Sequence, residues 1–79
     1  MARLLSIHNN LSTNGRTLTL KARFDREPRY LDVLQAQIGA GYATATWGRP
    51  LFARIYVERL SDGSLLASWK CQEQIPTPV

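Results

Sequence analysis

Polar and apolar positions alternate most cleanly in "RTLTLKARF". Leu18, Leu20, Ala22 and Phe24 share one parity; Thr17, Thr19, Lys21 and Arg23 share the other. A strand sends successive side chains to opposite faces, so this period of two predicts a half-buried strand. Before it, "RLLSIHNNL" sets Leu5 and Ile7 on one face. The two runs are joined by Ser12-Thr13-Asn14-Gly15, and Asn-Gly predicts a tight type I′ hairpin. Farther along, Ala53, Ile55 and Val57 alternate with Phe52, Arg54, Tyr56 and Glu58. Past an Asp62-Gly63 turn, Leu65, Ala67, Trp69 and Cys71 alternate with Leu66, Ser68, Lys70 and Gln72.

The middle of the chain changes period. After Asp25-Arg26-Glu27, Pro28 suits a first helical position, with Glu27 as the cap. In "PRYLDVLQAQIG", Leu31, Leu34 and Ile38 recur at i, i+3 and i+7, which predicts a helix with that narrow stripe on the core. Asp32 falls near the positive end of its dipole. The stretch "GAGYATATWGRP" fits two readings. We expect the helix to stop near Gly39 and a strand to run over 42–47, since Thr44 and Thr46 suit a strand. The alternative continues the helix through Tyr42 and Ala45, at a cost of about 1 kcal/mol for each internal glycine.

The expected fold is therefore α+β: a single antiparallel sheet of four or five strands, β-β-α-β-β-β, packed on one helix, or β-β-α-β-β if the helix is long. Seventy-nine residues hold one domain, expected over 1–73, with "QIPTPV" at 74–79 as a frayed tail. The expected core joins the helix stripe to Leu18, Leu20, Ala22, Phe24, Ile55, Val57, Leu65, Ala67 and Trp69.

One helix covers one face of a sheet, which leaves the other to water or a partner. That face is expected to carry polar residues, as any half-solvated sheet does. Its informative members are rings interleaved with cations. The candidate contact residues are Lys21, Arg23, Tyr42, Phe52, Arg54, Tyr56 and Lys70. Aromatic and arginine side chains are enriched at the centres of protein interfaces. They also suit stacking on bases, with cations on phosphates. A third reading has Phe52 and Tyr56 packing on Leu66 across strands and doing no more than that.

Charge sharpens this choice. The net charge is +4, and eight of the ten basic residues are arginine. Such a balance favours an acidic partner. Candidate chemistry is sparse by comparison. Cys71 is the one cysteine and His8 the one histidine, so no internal disulfide and no thiolate zinc site is expected. Cys71 shares its parity with Ala67 and Trp69 and should point into the core, where a thiol is inert. No two carboxylates are spaced as an acid and base, and Gly39-Ala40-Gly41 lacks the strand-loop-helix setting of a phosphate loop. We expect no catalytic residues, no metal and no cofactor. Met1–Asn10 lacks the apolar region of a signal peptide and no run reaches the ~18 apolar residues of a membrane span, so the expected location is the cytoplasm.

In size and layout, over its whole length, the chain resembles the small inhibitors encoded by phages and mobile elements, anti-CRISPR proteins among them. The resemblance implies a non-enzymatic protein acting by direct contact with a larger host protein or ribonucleoprotein complex. The positive charge sets this chain apart from inhibitors that imitate nucleic acid with an acidic surface. Two other partner classes fit the same residues: nucleic acid on the open face, and a second copy in a homodimer joined at a sheet edge. No membrane partner is expected.

Overall fold

The computed structural model describes residues 1–73, so the tail expected at 74–79 lies outside the described residues. Four antiparallel strands form one sheet: β1 (Leu4–Leu11), β2 (Thr17–Phe24), β3 (Tyr56–Arg59) and β4 (Leu65–Gln72), in the order β1-β2-β4-β3. Helix α1 (Tyr30–Gly39) crosses one face, and a single turn, α2 (Thr44–Trp47), follows it. This is the expected α+β class with four strands. No helix among the described residues is long and apolar enough to cross a membrane.

The two long central strands behave as their alternation requires. Leu18, Leu20, Ala22 and Phe24 of β2 are buried, and so are Leu65, Ala67, Trp69 and Cys71 of β4. The strands pair along their full length, from Thr17 opposite Gln72 to Phe24 opposite Leu65. At about 25 cal/mol per Å² of apolar surface, these eight side chains are the main source of stability. On β1 a bulge between Leu4 and Ser6 shifts the parity. Leu4, rather than the expected Leu5, thereby comes opposite Phe24, while Ile7 packs against the core.

The first hairpin departs from the type I′ expectation. Asn14 keeps a negative φ, and only Gly15, at +73°, enters the left-handed region. The Gly15 N–H donates to the Ser12 carbonyl at 2.9 Å, and the Ser12 N–H to the Thr17 carbonyl at 2.8 Å. The Asn14 side-chain oxygen accepts from the Arg16 N–H at 3.0 Å, so asparagine serves here as a hydrogen-bonding side chain. At the second turn the Gly63 N–H donates to the Leu60 carbonyl at 3.0 Å, with Gly63 at φ +88°.

The helix buries a different stripe from the one expected. Val33, Ala36 and Gln37 are buried, whereas Leu31 is 62% exposed and Ile38 50%. Leu34 lies between the two faces, half-buried. The cap is Arg29, not Glu27, and Pro28 stands before the helix. The Asp32 carboxylate accepts the Arg29 N–H at 2.9 Å and so closes the first turn.

Residues 42–47 are neither a strand nor a continuation of α1. The Tyr42 N–H reaches back to the Gln37 carbonyl at 3.1 Å, and the Gly41 N–H to that of Ile38 at 3.0 Å. With Gly41 at φ +98°, this is a Schellman stop, which ends α1 and turns the chain before Thr44. The strand expected from Phe52 starts only at Tyr56, because Phe52–Arg54 coil into a 3-10 turn. Ala53 is exposed, Ile55 half-buried and Val57 exposed, so β3 adds little to the core.

Candidate contact face and groove

Cross-strand pairs share a face, so the registers define the side opposite α1. It carries Ser6, His8 and Asn10 of β1, Thr17, Thr19, Lys21 and Arg23 of β2, and Leu66, Ser68, Lys70 and Gln72 of β4, with Tyr56 and Glu58 of β3. Every one of these residues is exposed or half-exposed, so this side of the sheet is bare among the described residues.

Of the candidate contact residues, Lys21, Arg23, Tyr56 and Lys70 stand on that face. Tyr56 is 70% exposed, directly opposite Ser68. The other three lie elsewhere. Tyr42 sits on the helix side, edge-on to Trp47 with ring centroids 6.0 Å apart, and both pack against the core. Phe52 is 77% exposed but leans on Tyr30 at 6.5 Å, on the 3-10 turn. Arg54 is on the same turn, off the sheet. Phe52 and Arg54 are displaced by the late start of β3, which removes 52–54 from the alternating pattern, and Tyr42 by the absence of a strand over 42–47.

Arg23 has a partner. Its guanidinium meets the Asp62 carboxylate at 3.1 Å. Hydrogen bonds from the Ser64 hydroxyl and Ser64 N–H, joined by the Arg23 charge, hold the Asp62 carboxyl below its ordinary value. Glu58 lies opposite Leu66 and makes no ion pair with a described residue. Lys21, Arg54 and Lys70 make no ion pair with a described residue.

Three cations, Arg49, Arg54 and Lys70, converge at one corner. Beyond Tyr56 the loop of residues 48–55 leaves the sheet, and a groove of about 640 Å³ opens between that loop and β4. Arg49, Arg54, Tyr56 and Lys70 line it, with Glu73 as its one carboxylate among the described residues. Trp47 and Leu51 give it an apolar wall. The loop is held from the other side: the Tyr30 hydroxyl donates to the Pro50 carbonyl at 2.7 Å, and Pro50 is buried. Arg49, Leu51 and Trp47 were not foreseen, since Gly48-Arg49-Pro50 reads only as a turn.

Under the groove lies a buried polar hub. The Gln37 amide donates to the carbonyls of Gly48 at 2.8 Å and Tyr42 at 3.2 Å. Its oxygen accepts from the Trp69 indole at 3.0 Å and the Cys71 thiol at 3.2 Å. This one side chain ties α1, the 42–48 segment and β4 together. Burial pushes the Cys71 thiol above its ordinary value, in keeping with the inert core cysteine expected. His8 and Cys71 stand on opposite faces, with β2 between their strands, so they form no dyad. No group of three metal-ligating side chains occurs among the described residues.

Neither a family model, nor a curated protein, nor a solved structure matches the chain.

Proposed function

We propose that this chain is a non-enzymatic binding protein that contacts an acidic surface on a larger protein or ribonucleoprotein, with the Tyr56 corner of its open face as the centre of contact. An inhibitor of the phage or mobile-element kind is the class of protein this describes. The observation that carries the reading is the convergence of Arg49, Arg54 and Lys70 around an exposed tyrosine, against Glu73 as the one carboxylate among the described residues. Arginine and tyrosine at such a centre dominate binding energies, and truncating one costs about 2 kcal/mol or more.

The test compares two variants of equal charge. Arg54→Glu with Lys70→Glu alters the groove, while Arg3→Glu with Arg29→Glu alters exposed cations away from it. Binding is measured to poly-L-glutamate and to a short poly-dT oligonucleotide over a range of salt. The expected result is at least about tenfold weaker poly-glutamate binding for the groove variant and a much smaller loss for the control. Equal losses would reduce the groove to general charge. Tighter binding of the oligonucleotide, falling steeply with salt, would move the assignment to nucleic acid.

A further inference from the structure

The backbone of β4 carries more information than its side chains. In an antiparallel ladder the N–H and C=O groups of alternate residues turn to the same neighbour. The Glu73 N–H donates to the Arg16 carbonyl at 2.9 Å, which fixes the phase on the β2 side. Trp69 and Cys71 therefore turn their backbone groups to β2. Leu66, Ser68, Lys70 and Gln72 turn theirs to the opposite edge. The Leu60 N–H bond to the Ser64 carbonyl, 2.8 Å, fixes the same phase on the β3 side. There β3 covers only Leu65–Ser68, its last pair being Tyr56 with Ser68. Continuing the ladder would set Arg54 opposite Lys70, but Arg54 has already turned away into the 3-10 turn. The main-chain donors and acceptors of Lys70 and Gln72 thus meet no described partner. They face the groove, which both residues line.

We infer that the groove receives an extended acidic polypeptide segment, which adds as a short strand to the open Lys70–Gln72 edge of β4. This rests on the proposed binding function and specifies how the partner is held. The geometry selects the chemistry of the segment. Side chains of an added strand alternate between the two faces of the sheet. Those beside Lys70 emerge on the bare face, among the cations, and favour carboxylates. Those on the other side meet the apolar wall of Trp47, Leu51 and Trp69 and favour apolar groups. Main-chain pairing supplies affinity and the alternating side chains supply specificity, the mode by which exposed sheet edges capture peptides. Two edge residues offer two donors and two acceptors, which suits four or five residues of added strand.

The probe is the capped octapeptide of alternating Glu and Val, with two comparators. One is N-methylated at every second residue, which removes donors but keeps charge; the other has Lys in place of Glu. Binding is followed by amide exchange and by chemical shifts on the whole chain. The Glu-Val peptide is expected to slow exchange of the Lys70 and Gln72 amides by about tenfold or more. Each lost hydrogen bond should weaken binding several-fold, so N-methylation in the register that pairs with β4 should cost about tenfold. The Lys-Val peptide should not bind. If the methylated and unmethylated peptides bind equally and Lys70 and Gln72 exchange unchanged, strand addition is wrong while the acidic-partner reading stands. If the Glu-Val peptide perturbs no residue of the groove or the open face, both fail. If the chain alone forms a dimer that protects Lys70 and Gln72, the occupant is a second copy, and the acidic segment is overturned.

Discussion

At the scale of single residues, Gln37 carries the heaviest structural duty. It is fully buried, and all four hydrogen-bonding positions of its amide are used. A buried polar group left without a partner costs about 1–3 kcal/mol. Gln37→Ala strands the Trp69 indole and two carbonyls at once and opens a cavity. We expect it to lower stability by about 3 kcal/mol in urea unfolding, whereas Gln35→Ala, on the exposed side of the same helix, should stay within about 0.5 kcal/mol. Equal effects would show that the hub is not structural. The sequence hides this role. A glutamine on an amphipathic helix reads as solvent-facing, and the cue that argues otherwise lies more than thirty residues on. Trp69 alternates into the core and needs an acceptor for its N–H. By contrast Cys71 and Asp62 were legible, one from parity and the other from its place in a turn.

At the scale of elements, the helix offers two possible stripes, and packing chose the less apolar one. Leu31, Leu34 and Ile38 form the stronger pattern; Val33, Ala36 and Gln37 form the face that fits. Small residues let α1 approach the sheet closely, and the Gln37 bonds fix its rotation. Val33→Ala should therefore cost about 2 kcal/mol, while Leu31→Gln and Ile38→Gln should each stay within about 0.5 kcal/mol. Thermal or urea unfolding checks this. A larger loss at Leu31 than at Val33 would mean the opposite rotation of the helix. Strands β2 and β4 were readable because eight-residue alternation has few competing explanations. Residues 42–55 were not. Their path is set by contacts distant in sequence: Gln37 on the Gly48 carbonyl, Tyr30 on the Pro50 carbonyl, and Phe52 leaning on Tyr30. Local propensity for a strand yields there to tertiary packing.

At the scale of the whole molecule, the two sides of one sheet do different work. One side holds the core; the other is bare and carries cations toward one corner. The class of fold and the existence of a bare face follow from alternation and from having a single long helix. The groove does not, because it exists only where β3 stops short of the end of β4, and no local pattern marks that point. Its cations come from two separate segments, Arg49 and Arg54 from the 48–55 loop and Lys70 from β4. The same early stop creates the free main-chain edge, so the contact surface and the unpaired strand have one origin. Amide exchange of the monomeric chain in the absence of any ligand tests this most directly. Trp69 and Cys71, bonded to β2, and Leu66 and Ser68, bonded to β3, should exchange slowly, and Lys70 and Gln72 between and beyond them should exchange at close to open-chain rates. Slow exchange at Lys70 and Gln72 in the free monomer would mean that the edge is already filled, and would contradict the account.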